Sequence, residues 1–319
     1  MITVLTGGTG GAKFVDGLRQ IVPAEDLTVI VNTGDDLLWW GLYVSPDVDS
    51  ITYILAGKLS QERGWGVKGD TFYCLQAMGQ LGQPIWFHAG DRDLATHILR
   101  SKLLSDGKTL AEVTAEIAGR LGVKARILPM SNSRVETRIG TPVGELSFEE
   151  YFVQRWYQDP VESVRFAGAS DAEPAPGVVD AIRGAEVVLL APSNPVTSIA
   201  PILAVPGIRE ALRESRARIA AVSPIVGGAA VSGPAGILMR SQGCEVSIAG
   251  VAEYYRDFLD LLVVDTRDAA AAEELRKSGM RVHCTPSIMR TNEDRVTLAD
   301  AVLKAALQSP ATSAASDHS

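Results

Sequence analysis

The sequence predicts an α/β protein: a mostly parallel sheet with helices on both faces, plus a smaller α+β lobe. Three observations carry this expectation. Apolar runs rich in Val, Ile and Leu alternate with stretches of helical period. Those runs are apolar on both faces, which suits strands covered by helices on each side. A glycine-rich segment, TVLTGGTGGAKF at residues 3–14, follows directly on the first run.

The elements follow in order. ITVLT (2–6) reads as a strand and leads to a helix from about Ala12; LTVIVNT (27–33) reads as a second strand, at the separation a βαβ unit requires. Further strands are expected in EVVLLAP (186–192), ARIAAVSP (217–224), DLLVVD (260–265) and MRVHCTP (280–286). Helical period is clear over 110–121, 269–279 and 296–307. From about 130 to 185 the alternation breaks. There SRVETRIGTPVGELSFEEYF suggests short strands with a Gly turn, and a Pro-rich passage follows through DAEPAPG. The expected organisation is a core of residues 1–130 and 186–308, an inserted lobe at 131–185 and a disordered tail at 309–319.

Composition narrows the function. With 319 residues, 46% of them hydrophobic, the chain has ample material for a buried core. A net charge of −8 argues against a general binder of nucleic acid or membrane surfaces. Cys74, Cys244 and Cys284 are odd in number and far apart, so neither a disulfide framework nor a zinc site follows, and a cytoplasmic setting is expected. The start lacks the basic residues of a signal peptide, and no apolar run reaches the ~18 residues that suggest a membrane span.

The glycine segment fits neither familiar phosphate motif. A dinucleotide loop needs G-x-G-x-x-G; counted from Gly8, the third glycine falls on Lys13. The acid that would hold a ribose hydroxyl near the end of the second strand is replaced by Asn32. A Walker loop fails as well, because Ala12-Lys13 stands where Gly-Lys is required. A strand, a tight turn and a helix N-terminus remain, and that arrangement offers backbone N–H groups to an anion. A plain turn needs fewer than four glycines in five positions. Gly8, Thr9, Gly10, Gly11 and Lys13 are therefore candidates for nucleotide or phosphate binding on a Rossmann-like core.

Acids cluster after the second strand. NTGDD (32–36) and SPDVDS (45–50) place Asp35, Asp36, Asp47 and Asp49 in one irregular segment. Ligands of open α/β sheets gather beyond the strands' carboxyl ends, and paired carboxylates suit Mg²⁺. One of the four could serve only as a helix cap. Trp39 and Trp40 stand beside them, one suited to a core and the other to stacking on a flat ring. In FHAGDRDLATHILR (87–100), Asp91 and Asp93 are good helix-start residues, while Arg92 is a fork donor suited to phosphate or carboxylate. His97 reads as a satisfied surface residue and Arg100 as structural or solvated. APSNPVTSIAP (191–201) and SPIVGGAAVSGPAG (223–236) are small-residue loops after strands and suit phosphates or base edges. No G-x-S-x-G elbow or H-E-x-x-H zinc pattern occurs.

Taken together, GGTGGAKF with DGL at 16–18, VNTGDD, SPDVDS, WGVKGDTF (65–72), GDRDLATHI, ILPMS (127–131), PSNPVTSI, SPIVGG with SGPAG, and GVAEYYRDFLD (250–260) closely resemble the 2-phospho-lactate transferase family, often called CofD. The resemblance implies a step in making the deazaflavin coenzyme F-420. A phospholactyl or phosphoenolpyruvyl group passes from a guanosine diphosphate donor to the deazaflavin alcohol Fo, GMP leaves, and Mg²⁺ is required. It implies nucleotide binding by the glycine loop together with Ser193, Asn194, Thr197, Ser198, Gly227 and Gly228. It implies deazaflavin binding near Asp49 and His88, with Trp40 and Arg92 as further candidates. Asp49 and Asp36 are candidate proton acceptors, and Asp36 and Asp47 candidate metal ligands. A homodimer is a family expectation. Two rivals are a non-catalytic nucleotide-sugar-binding regulator of the same superfamily and a dehydrogenase, the latter weakened by Lys13 and Asn32.

Overall fold

A computed structural model describes residues 1–308; the expected tail at 309–319 lies outside the described residues. Seven strands form one parallel sheet: β1 (Ile2–Thr6), β2 (Leu27–Val31), β3 (Arg126–Pro129), β4 (Val187–Leu190), β5 (Arg218–Val222), β6 (Leu261–Val264) and β7 (Val282–Cys284). Their order is β7-β6-β5-β4-β1-β2-β3, the Rossmann order with one strand added at an edge. Side chains alternate between two cores as the strand period requires. Leu5, Ile30 and Leu190 enter one core, and Val4, Val29 and Leu189 the other. The fold class is as the sequence predicts. The edge strand β3 lies in a stretch where no strand is expected from the apolar runs, because it is only four residues long and opens on the exposed Arg126.

Helix α1 starts at Gly8 rather than near Ala12 and runs to Leu18. Its second half explains the DGL segment. Asp16 is buried and paired with Arg295 at 2.6 Å, and a Cβ on Gly17 would collide with the Arg295 carbonyl. That close approach seats helix Asn292–Leu307 on α1. In 131–185 a three-stranded antiparallel sheet forms from Gly144–Ser147, Glu136–Thr141 and Ser163–Ala167, in that order. Val135, Ile139 and Tyr151 carry this segment onto the same core as Leu5.

The sheet's topological switch lies between β1 and β4, where the loops after them diverge. Here Ser193 Oγ donates to the Gly7 carbonyl at 2.7 Å. A Cβ on Gly10 would lie 2.6 Å from the Pro192 carbonyl oxygen, and one on Gly11 2.6 Å from Ser193 Oγ. Gly8 has φ +67°, a left-handed conformation that side chains other than glycine's resist. A Cβ on Gly7 would lie 2.6 Å from Asp47 Oδ2, so packing and backbone conformation account for all four glycines.

Candidate functional site

A cleft of about 1190 Å³ opens over the switch point. Its floor is the start of α1, with Gly8, Thr9, Gly10 and Lys13, facing Ser193, Asn194, Thr197 and Ser198 after β4. Helix α1 has no acid in its first turn, so its N-terminus presents a positive end to the cleft. The Lys13 ammonium makes no hydrogen bond or ion pair among the described residues and adds a cation to the cleft. Arg290, at the same end, was not singled out from the sequence.

Asn32 directly follows β2 and organises the acids. Its Nδ2 donates to Asp35 Oδ2 and Asp47 Oδ2, both at 3.0 Å, and to the Thr197 carbonyl at 3.2 Å. An acid at this position would repel both carboxylates, which is a physical reason for the departure from the dinucleotide pattern. Asp47 also accepts from the Gly8 N–H at 2.6 Å. Burial still raises Asp47 to about 6, against the pull of Gly8 and Asn32. Asp35 is pushed well above the usual carboxylate range by burial, with Asp47 and Glu149 adding repulsion and a hydrogen bond from Thr137 working against them.

Asp49 lines the opposite part of the cleft from helix α2 (Pro46–Leu55). Arg100 grips both its oxygens, with Nη1 donating to Oδ2 at 2.9 Å and Nη2 to Oδ1. His97 lies between two acids, its Nδ1 3.5 Å from Asp49 and its Nε2 3.6 Å from Asp93. Tyr53 OH donates to Asp93 at 2.7 Å. Burial favours a raised Asp93, but His97, Tyr53 and Arg100 outweigh it and hold the group below its ordinary value. His97 is thus buried, contrary to its surface reading, and Arg100 takes the structural one of its two readings; period alone does not reveal which face of α4 (Asp91–Ser105) the hairpin Leu37–Val44 covers.

Helix α3 (Tyr73–Gln80) and α4 cap each other. Asp91 accepts from the N–H groups of Tyr73 and Cys74 at 3.1 and 2.9 Å, while Asp70 accepts from those of Arg92 and Asp93 at 2.8 and 3.1 Å. A Cβ on Gly90 would collide with the Asp70 carboxylate. This exchange brings WGVKGDTF and GDRD together and places Trp65 and His88 on the rim.

Several expected site residues do not reach the cleft wall. Asp36 turns away and accepts from Ser45 Oγ at 2.6 Å and Tyr43 OH at 2.9 Å; burial lifts it to about 8 despite those bonds. Trp40 sits at φ +51° in the hairpin turn, stacks on Trp39 and donates to the Pro84 carbonyl at 3.0 Å. Arg92 is exposed and donates to the Lys68 carbonyl. Gly11 is a packing glycine. Gly227 and Gly228 form a hairpin turn at φ +60° and +76°, and the Gly227 N–H is already taken by Asp268.

The inserted segment supplies a wall that the sequence reading missed. Phe148, Phe152 and Tyr157 stack in series at 5.4 and 5.6 Å beside the exposed Trp156. Glu149 projects from the same wall.

Fold and cleft define a Rossmann-type α/β protein with a ligand site at the switch point, where helix-terminal N–H groups and a cation meet buried acids. A family model described as "2-phospho-L-lactate transferase CofD" matches residues 2–302, and the chain belongs to that family of transferases. It is 42% identical to the 2-phospho-L-lactate transferase of Methanosarcina mazei, over 95% of this chain and 99% of that one. It is 44% identical to the phosphoenolpyruvate transferase of Streptomyces griseus, over 90% and 92% of the two chains. Among solved structures, a UPF0052 family member from Bacillus halodurans superposes with a TM-score of 0.61 at 18% identity, covering 95% of this chain and 99% of that one, and shows the shared fold.

Proposed function

We propose that the chain transfers a phospholactyl or phosphoenolpyruvyl group from a guanosine diphosphate donor to the ribityl hydroxyl of Fo, releasing GMP in a step towards coenzyme F-420. The observation that carries this reading is one continuous cleft joining an anion-binding helix end, buried acids and an aromatic wall. Its volume, about 1190 Å³, exceeds the roughly 300–1,000 Å³ of ordinary single-ligand pockets, as suits a site that holds donor and acceptor together. The relatives' names support the same chemistry, and their similar identities keep both three-carbon groups in play.

In this reading the start of α1 and Lys13 bind the diphosphate. Phe152, Tyr157 and Trp156 offer faces for a planar ring. The Fo hydroxyl oxygen forms a bond to the phosphorus carrying the three-carbon group, and the bond from that phosphorus to the GMP oxygen breaks, its electron pair leaving with GMP. Asp49 faces the cleft and accepts the hydroxyl proton, while Arg100 fixes its angle. Asp36, the other sequence candidate, is held by Ser45 and Tyr43 and serves as a support.

Mg²⁺ is the expected metal, and the residues fit it. Asp35 and Asp47 line the cleft as hard oxygen donors, and Asn32 Nδ2 joins them by donating to one oxygen of each at 3.0 Å. Asp35 takes the role expected of Asp36. When bound, the ion supplies charge neutralisation on the diphosphate and its leaving oxygen. We take the working form to be a cytoplasmic homodimer, in keeping with three free cysteines and the exposed apolar Tyr73, Leu81 and Ile85.

The test is to incubate the protein with Fo, Mg²⁺ and lactyl, enolpyruvyl or glyceryl diphosphoguanosine and to weigh the product by mass spectrometry. One donor should give a phosphodiester of Fo. No product from any donor, with unchanged Fo fluorescence, would instead favour the nucleotide-sugar-binding regulator.

A further inference from the structure

Four ionisable side chains meet at Asp49, and their charges do not balance. Asp49, Asp93, His97 and Arg100 are all buried. Arg100 is spent on Asp49, with Nη1 donating to Oδ2 at 2.9 Å and Nη2 to Oδ1. Asp93 has no Lys or Arg partner among the described residues; Tyr53 OH donates to it at 2.7 Å. Burial favours the neutral acid, yet His97, Tyr53 and Arg100 hold Asp93 below its ordinary value and so ionised at neutral pH. Asp36 also acts on Arg100, but burial raises it to about 8 and it adds little charge there. Two carboxylates and one guanidinium therefore leave a negative charge in excess while His97 is neutral. An imidazolium at His97 cancels it, and buried charges are tolerated when they are matched.

The neighbours also fix the tautomer. Arg100 Nη1 lies 3.4 Å from His97 Nδ1 and can only donate, so Nδ1 carries the lone pair. The ring proton is then on Nε2, 3.6 Å from Asp93 Oδ2, which can only accept. The open Nδ1 is 3.5 Å from Asp49 Oδ2. A base oriented from behind by a carboxylate is the arrangement that lets an imidazole take up a proton in acyl-transfer triads. Separations of this kind shorten once reactants fill a site. Asp49, Tyr53, Asp93 and His97 all line the cleft. The ligand atoms of Asp49, Asp93 and His97 lie within 4.8 Å of one another, yet Arg100 Nη1 reaches both Asp49 Oδ2 and His97 Nδ1. Its charge occupies the place a metal ion needs, whereas a proton needs no space.

We propose that His97 stores the proton that the acceptor hydroxyl gives to Asp49, with Asp93 holding the imidazolium. This rests on the transferase reading above. The hydroxyl O–H bond breaks as its oxygen bonds to phosphorus, and the proton goes to an Asp49 oxygen. The bond to the GMP oxygen breaks with its electron pair. The proton then passes to His97 Nδ1, which restores the Asp49 carboxylate to Arg100 instead of leaving a neutral acid beside an unmatched guanidinium. As products leave, the proton returns through Asp49 to water in the open cleft, one proton per turnover. His97 acts through Asp49 and is a positioning residue. The titratable and charged groups facing it are Asp49 and Tyr53 from α2 and Asp93 and Arg100 from its own helix, with Asp36 and Tyr43 acting through Arg100.

The test measures single-turnover transfer to Fo, with Mg²⁺ and the donor that gives product, between about pH 5 and 9. His97 must be neutral to take the proton, so the wild-type rate should fall on the acid side. His97→Gln should lose transfer on the order of a hundredfold, bind Fo and GDP within about threefold of wild type, and show no such acid limb in its residual rate. Asp93→Asn keeps the shape and the Tyr53 bond but removes the charge behind the imidazolium. It should slow transfer about tenfold and move the acid limb to lower pH, because the charged form of His97 loses its support. Thermal melts confirm that each variant is folded, and Asp93→Asn decides alone if His97→Gln is not. A limb that is absent in wild type, survives in His97→Gln or stays in place in Asp93→Asn overturns the proposal and leaves the transferase reading intact. A wild-type chain that makes no product from any donor overturns that reading and this one with it.

Discussion

Arg100 holds both carboxylate oxygens of Asp49 beneath the cleft, and both residues are almost wholly buried. This two-point grip fixes the plane of the carboxylate as a single bond does not. It also means that either partner alone is an uncompensated buried charge. Asp49→Ala and Arg100→Ala should each destabilise the fold by about 3 kcal/mol or more, and the double variant by clearly less than their sum. Urea melts over the cycle measure this. Additive losses would show that the pair is not coupled.

The same relationship changes how Asp49 must be tested as a proton acceptor. An Ala variant confounds chemistry with stability, whereas Asp49→Asn keeps the shape and one Arg100 bond. Asp49→Asn should bind GDP within about threefold of wild type, under 1 kcal/mol, yet lose transfer by on the order of a hundredfold. Equal losses in binding and turnover would place Asp49 in substrate binding instead.

Lys13 makes no hydrogen bond or ion pair among the described residues and sits one turn into the helix whose N-terminus faces the cleft. Lys13→Ala should weaken GDP binding on the order of tenfold, about 1.4 kcal/mol, and flatten its dependence on salt. Calorimetry at two ionic strengths reads both. An unchanged salt dependence would give the anion to the helix terminus and Arg290 alone.

How much of this was legible varies with range. The parallel sheet was legible because its strands are continuous apolar runs, and Asn32 and Lys13 were already marked as departures from the dinucleotide pattern. The glycine loop was legible as a feature, but the reasons for Gly10 and Gly11 lie in Pro192 and Ser193, nearly two hundred residues away. Asp36 and Asp35 are adjacent and chemically alike, and the bonds from Ser45 and Tyr43 to one and from Asn32 to the other distinguish them. Glu149 had no local signal, since its burial in the cleft wall follows from how the inserted segment packs on the sheet. His97 reads as a surface residue because an amphipathic period says nothing of a second surface packed on a helix's polar side.

The exchange of caps between Asp70 and Asp91 links α3 to α4, and with it the rim residues Trp65 and His88. Each acid satisfies N–H groups at the other helix's start. Loss of such a cap costs about 1 kcal/mol. Asp70→Ala should therefore leave the global melt within that range but speed hydrogen exchange across residues 60–90 by about tenfold, since 1.4 kcal/mol converts to that factor. Exchange that stays at wild-type rates would show the rim to be held by other contacts.

Asp265 anchors the other end of the cleft. It ends the β6 region and accepts from Ser287 N at 2.9 Å, Ser287 Oγ at 3.2 Å, and Arg267 N and Nε at 3.1 and 2.8 Å, thereby fixing the segment Ser287–Arg290 in the wall. Burial alone would raise its pKa, but the Arg267 guanidinium and the Ser287 and Arg267 N–H groups outweigh burial and hold it at about 2. A depressed carboxylate stabilises the fold at pH values above its unfolded pKa, near 4, and that stability is lost as pH falls through 2. The contribution is roughly 2 kcal/mol from the size of the shift. Asp265→Asn should lower stability at pH 7 by about that amount and flatten the loss between pH 4 and 2. It should also weaken GDP binding, because the Ser287–Arg290 wall loosens. Chemical denaturation across pH 2–7 decides the point. An acid limb as steep as that of wild type would mean that Asp265 carries no such charge-dependent anchor.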